Sequence, residues 1–169
     1  MNLMNKEVVL RILFFILLIL LQVLVFSNMF IGAYVPYVYV LYVVLFPIKF
    51  DKTMFLISSF LLGLTMDFFC SSGGVHAAAC TLAAYIRPQA LKFSFGRSYE
   101  FQIIKLAKVS VAAKLAYFSI LIVAHHLLLF LLETFNFSFI LYTLKATLFT
   151  SLYTILLCLV LVSLFSRRK

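Results

Sequence analysis

The sequence predicts an all-α integral membrane protein, a bundle of six transmembrane helices with both termini in the cytoplasm. Three observations lead to this fold class. First, 66% of the 169 residues are hydrophobic and 11% are charged, against about 45–50% apolar and about 25% charged in soluble domains. Second, the apolar residues form six runs, and six spans of roughly 20 residues would use about 120 positions. Third, the basic residues gather at one set of helix ends. A second folded domain therefore has no room, and continuous apolar runs exclude a β-barrel.

The first three predicted helices are about 8–26, 34–48 and 53–70. In the first, only Arg11 and Gln22 are strongly polar, and the absence of a small-x-small cleavage pattern predicts a retained signal anchor. Pro36 and Pro47 bracket the second, as is typical near helix ends. The third ends at the breaker sequence 71–74, Ser-Ser-Gly-Gly.

The last three predicted helices are about 75–91, 109–132 and 139–165. The fourth is long enough to span a bilayer only if it continues past Pro88. A basic and aromatic loop, about 87–108, follows it and is expected to lie along the inner headgroups, to bind a cytoplasmic partner, or both. The basic residues of this cytoplasmic loop are Arg87, Lys92, Arg97, Lys105 and Lys108.

The distribution of positive charge predicts the orientation. With the N-terminus inside, 12 of the 14 lysines and arginines lie at inner ends or loops, whereas the opposite loops, 27–33, 71–76 and 133–138, contain none. The net charge of +9 is thus explained by topology. Because the basic residues punctuate apolar runs and form no continuous wet surface, nucleic acid is not an expected partner.

Ionisable residues inside the predicted spans are the most informative feature, because a charged side chain in a bilayer costs several kcal/mol. Lys145 lies about 10 Å into the sixth helix at helical rise. We expect it to pair with Asp67 or Glu133, with the histidines nearby, so that the pair fixes the relative rotation of three helices. The complete predicted intramembrane cluster, structural or partner-binding, is Asp67, His76, His125, His126, Glu133 and Lys145.

Close helix packing is predicted where small residues recur. Gly63 precedes Asp67 by four residues on the same helical face, so a neighbouring backbone can approach there. The predicted helix-packing residues are Gly63, Gly73, Gly74, Ala77 and Ala78.

Other chemistry receives less support from the sequence. A metal site is disfavoured because His125 and His126 point about 100° apart on a helix and HxxxH spacing is absent. A proton relay or a bound substrate at Asp67 and the histidines stays open as an alternative. Catalytic motifs are absent, and no cofactor is expected. Cys70, Cys80 and Cys158 are interpreted as buried small hydrophobes, and the tyrosines of the second helix as an interfacial belt.

One segment carries a family resemblance. Residues 63–69, Gly-Leu-Thr-Met-Asp-Phe-Phe, are followed by a Gly-Gly break and by a small-residue helix that ends at Arg87-Pro88. In this pattern, in size and in helix number, the chain resembles the rod shape-determining membrane protein family MreD. The specific residues span only about 63–88.

The resemblance implies a non-enzymatic scaffold in the bacterial inner membrane. MreD-like proteins work in the cell-elongation machinery with the bitopic protein MreC, the MreB filament and the polymerase and transpeptidase that build lateral peptidoglycan. Their fold is described as similar to the substrate-binding subunit of energy-coupling-factor transporters. The implied function is therefore binding of an MreC-like partner to maintain rod shape. The alternative is a transporter subunit that captures a small molecule through Asp67, His76 and His125 or His126.

Overall fold

The computed structural model describes residues 3–48, 50–96 and 109–166 and is almost entirely helical over them. No named strand occurs in these ranges; an isolated bridge joins Ile31 and Tyr34. Single 3-10 turns lie at Phe26–Asn28, Val38–Val40 and Phe137–Phe139. The α-helices are α1 Leu3–Leu24, α2 Leu41–Leu45, α3 Lys52–Cys70, α4 Val75–Phe95, α5 Val111–Thr134 and α6 Ile140–Ser166.

Four stretches of the described chain are long and apolar enough to cross a membrane. They are Glu7–Asn28, Lys52–Cys70, Val111–Thr134 and Phe137–Leu164. Their outward faces are rich in exposed leucine, isoleucine and phenylalanine, which a water-soluble surface does not tolerate over such an area. The architecture is compatible with a multi-pass membrane protein.

Local capping explains where the helices begin and end. Asp51 accepts a hydrogen bond from the Met54 amide at 2.8 Å and begins α3, and Ser110 accepts one from the Ala113 amide at 3.3 Å and begins α5. Between α3 and α4 the chain turns through Gly73 and Gly74, whose φ angles are +65° and +99°. Only glycine adopts such angles without strain, so this pair sets the sharp turn between the two helices.

The centre of the bundle is α4, which packs against both α3 and α5, while α6 packs against α5. Close packing rests on small residues. A Cβ built on Gly63 would lie 2.5 Å from the Ala77 Cα and 2.6 Å from its amide nitrogen, so only glycine fits there. Ala77, Ala83 and Ala84 are buried along α4. The predicted close approach at Gly63 is confirmed.

The second predicted helix, 34–48, is confirmed over residues 38–45 and wrong at both ends. Helical structure is confined to Val38–Val40 and Leu41–Leu45, because Pro36 and Pro47 cannot donate backbone hydrogen bonds and exclude helix at each side. We call residues 36–46 the broken segment. Its residues 38–44 are almost completely buried inside the bundle.

The fourth helix is longer than predicted and continues through Pro88 to Phe95. Arg87 and Lys92 therefore lie on α4 and not in a loop. Arg87 is buried, whereas Lys92 is exposed. The other predicted loop residues, Arg97, Lys105 and Lys108, lie outside the described residues.

Candidate functional site

Buried polar side chains form hydrogen bonds with the backbone of the broken segment. The helical part of this segment is short, so the amides at its beginning and the carbonyls at its end need partners, and hydrocarbon supplies none. Such backbone is tolerated where protein surrounds it. Four helices contribute side chains that satisfy it, namely α1, α4, α5 and α6.

Gln22 of α1 satisfies the beginning of the broken segment. Its Oε1 accepts from the amides of Val38 at 2.7 Å and Tyr39 at 3.3 Å, and its Nε2 donates to the Pro36 carbonyl at 2.9 Å. The intervening amide of Tyr37 donates to Thr154 Oγ1 of α6 at 3.1 Å. One buried glutamine and one threonine thus supply the hydrogen-bond partners that a preceding turn of helix would supply.

Arg87 of α4 satisfies the end of the broken segment. Its guanidinium donates to the carbonyl of Phe46, and to Tyr117 Oη at 2.8 Å. Tyr117 in turn donates to the Val44 carbonyl at 2.9 Å. The guanidinium carbon also lies 5.0 Å from the centre of the Phe55 ring, a cation–π distance. A cation at the carbonyl end of α2 is favoured by the helix dipole.

Asp67 caps α4. Its carboxylate accepts from the backbone amides of His76 at 2.9 Å and Ala77 at 2.8 Å, and from the Ser72 hydroxyl at 2.6 Å. Both oxygens are occupied, and the side chain sits at the positive N-terminal end of a helix, where a carboxylate is stabilised. With Gly63 one turn earlier, Asp67 fastens α3 to the first turn of α4.

Tyr39, at the centre of the broken segment, joins two of the histidines. Its hydroxyl lies 2.7 Å from His76 Nδ1 and 3.0 Å from His125 Nε2. A phenol has one proton, so it donates to one imidazole and accepts from the other. Cys80 Sγ lies 3.8 Å from the same His125 nitrogen. His76 and His125 therefore lie together around Tyr39, with Cys80 beside His125, and neither Tyr39 nor Cys80 was part of the predicted cluster.

His126 lies next to His125 on α5 but has different hydrogen-bond partners. Its Nδ1 donates to the Ile122 carbonyl at 2.7 Å and lies 3.3 Å from Ser151 Oγ. The Tyr37 ring covers it, with centroids 5.4 Å apart. Ser151 is part of a buried hydroxyl face on α6 that also comprises Thr143, Thr147, Thr150 and Thr154. We call these residues, with Tyr37, Tyr39 and the histidines, the polar layer.

The expected Lys145 ion pair is absent from the described structure. Lys145 and Glu133 are both exposed, and the carboxylate of Asp67 is filled by Ser72, His76 and Ala77. The physical reason is that backbone amides at a helix N-terminus neutralise a buried carboxylate as a cation would. Lys145 and Glu133 therefore do not belong to the cluster that Asp67, His76, His125 and His126 form.

Hydrogen bonds connect several side chains of the polar layer. No group of three or more metal-ligating side chains is arranged around one point among the described residues. Two ring nitrogens, His125 Nδ1 and His126 Nε2, have no hydrogen-bond partner within the described chain. Thr147 Oγ1 also lacks a partner there, whereas Tyr39, His76, Ser151 and Thr154 are bonded to backbone or to other members of the layer.

Several smaller predictions need correction. Tyr39 and Tyr42 are buried and do not form an interfacial belt, because the segment that carries them lies inside the bundle. Cys80 and Cys158 are buried as predicted, but Cys70 is exposed. The roles of Gln22, Tyr117 and Thr154 were missed; the one signal available was that Gln22 is a strongly polar residue within an otherwise apolar run.

A scan against protein-family models, a search of curated proteins and a search of solved structures each found no significant match.

Proposed function

We propose that the chain is a non-enzymatic scaffold of the bacterial inner membrane. In this proposal it belongs to the cell-elongation machinery, binds an MreC-like single-pass partner, and thereby organises lateral peptidoglycan synthesis with the MreB filament and the polymerase and transpeptidase pair. The proposal starts from the resemblance over residues 63–88. Gly63, Asp67 and Arg87, which carry that resemblance, all make internal contacts that hold the bundle together.

The proposed topology has six crossings with both termini inside. The broken segment supports it, because it extends from Gln22, near the C-terminal end of α1, to Arg87, in the C-terminal half of α4. A segment that contacts both Gln22 and Arg87 passes through most of the length of the bundle. It would form the second crossing, and the fourth would be α4, whose 21 residues suffice in length.

The observation that carries partner binding is the exposure of Lys145. It lies eight residues after Phe137, about 12 Å along the helix axis, on a face of α6 where Leu141, Leu144 and Leu148 are also exposed. A lone cation at that depth is expensive against lipid. A partner helix with a polar group opposite Lys145 would remove this cost, and apolar side chains around it would supply the packing.

The small residues Gly63, Ala77, Ala83 and Ala84 are not part of the proposed partner surface. All four are buried inside the bundle, so they cannot contact a partner helix. The exposed α6 face replaces them in the proposal.

Depletion and site-specific crosslinking test this function. Loss of the protein should convert rod-shaped cells into round ones. A photoreactive residue at Leu148 should crosslink to a single-pass MreC-like protein, whereas one at Leu64, exposed on α3, should not. Unchanged rods, or equal crosslinking from both positions, would contradict the proposal.

The transporter alternative has a weaker basis. It requires Asp67 and the histidines to receive a ligand, but both oxygens of Asp67 are occupied by Ser72, His76 and Ala77. Copurification of an energy-coupling ATPase in place of wall-synthesis proteins would favour it.

A further inference from the structure

A groove lies between α1 and α3, lined by none of the side chains of the polar layer. Its volume is about 560 Å³, and its floor is formed by Tyr42 and Phe46, which are buried. Its rim carries exposed apolar side chains of both helices, with Ile12 and Ile16 on α1 and Met54 on α3. The groove therefore opens sideways, toward the space that lipid occupies around a membrane-spanning helix.

Arg11 is the cation that lines this groove. Its side chain is partly buried, and its Nε has no hydrogen-bond partner among the described residues. Glu7 lies one helical turn before it but is exposed. A guanidinium at the edge of an apolar cavity is the arrangement that favours an anionic group attached to a hydrocarbon chain.

We propose that the α1–α3 groove is a binding site for one anionic phospholipid. The phosphate accepts hydrogen bonds from Arg11, and an acyl chain lies along Phe15, Tyr42 and Phe46. Basic pockets between transmembrane helices on the cytoplasmic side are known to select acidic headgroups, and the volume lies in the range of about 300–1,000 Å³ that is typical of ligand sites. The inference rests on α1 and α3 spanning a membrane, and on the proposed topology for the cytoplasmic position of Arg11.

The lining and the length of the groove favour an acyl chain over a partner helix. Apart from Arg11, Tyr42 and Ser58, the lining side chains are apolar, so they can pack along a hydrocarbon chain beside one cation. The α3 residues that line the groove, from Met54 to Leu61, cover about 10 Å of helix at 1.5 Å per residue, a short contact for two helices that pack across a bilayer core of about 30 Å.

Native mass spectrometry of the purified, delipidated full-length protein tests the proposal. Wild type should retain one phosphatidylglycerol more tightly than phosphatidylcholine. Arg11→Met should weaken phosphatidylglycerol binding roughly tenfold, the effect of losing a hydrogen bond to a charged group. The matched control is Lys114→Met, which removes the same charge from α5, outside the groove, and should bind as wild type. Equal binding by wild type and both variants would overturn the proposal.

A second variant separates the loss of the site from a loss of folding. Ser58 lines the groove and is half-buried, so Ser58→Phe should fill it while Arg11 remains. This variant should lose the bound phosphatidylglycerol but keep the wild-type elution profile. A photoreactive residue at Ile16 should form a lipid adduct in cells. An adduct at Ile16 to a single-pass protein would show that a helix occupies the groove and would refute lipid as the occupant.

Discussion

Replacement of Gln22 by leucine should destabilise the bundle more than any other conservative change on α1. Gln22 is 1% exposed and bonds the amides of Val38 and Tyr39 and the carbonyl of Pro36. Leucine keeps the volume and leaves these three buried backbone groups without partners. An unsatisfied buried group costs about 1–3 kcal/mol. For three groups the expected loss in the free energy of unfolding therefore lies between about 3 and about 9 kcal/mol. For a chain of this size the lower value corresponds to a fall in melting temperature of roughly 6–12 °C.

The assay uses the chain's own thiols. Cys80 and Cys158 are 0% exposed and should react with a fluorogenic maleimide only when the bundle opens, provided that the exposed Cys70 is replaced by serine. Gln89→Leu is the matched control, because Gln89 is exposed on α4 and the chemical change is identical. Melting of Gln22→Leu at the temperature of Gln89→Leu and of the parent would refute the proposed support of the broken segment.

Three further predictions use the same thermal assay. Arg87→Met should lower stability by about 1–3 kcal/mol because the carbonyl end of the broken segment loses its donors, whereas Lys92→Met, on the exposed face of α4, should not; equal melting of the two would contradict the role of Arg87. Gly63→Ala should cost about 1–3 kcal/mol through overpacking against the α4 backbone, and a wild-type melting curve would show that the helices can separate freely. Asp67→Asn should destabilise the bundle by about 1–3 kcal/mol whether or not Lys145→Leu is also present, and Lys145→Leu alone should melt as wild type. A double variant more stable than Asp67→Asn alone would instead support an ion pair between Asp67 and Lys145.

The sequence could predict the long helices because their length and apolar character are local properties. Composition and turn residues placed α3, α5 and α6 within a few residues of the observed ends. The turn at Gly73 and Gly74 was also predictable, because the local sequence Ser-Ser-Gly-Gly itself breaks a helix. Close packing at Gly63 was also predictable, since a glycine on one face of an apolar helix has few other uses.

The sequence could not predict the broken segment or the partners of the buried polar residues. The run 34–48 is apolar enough for a helix, and the fact that Gln22, Arg87 and Thr154 satisfy its backbone depends on contacts across up to 117 positions. The ion-pair expectation failed for a related reason. A buried carboxylate needs compensating positive charge, but the sequence does not reveal whether a lysine or a helix N-terminus provides it.

The central claim is that the broken segment crosses the membrane although it is not a continuous helix. Single cysteines in place of Asn28 and Lys52, both exposed and on either side of the segment, test it in a Cys70→Ser background with a membrane-impermeant maleimide. The account expects the cysteine at position 28 to react in intact spheroplasts and the one at position 52 to react only in inside-out vesicles. Reaction of both positions from the same side would show that the segment turns back within the bundle, and the six-crossing account would be wrong.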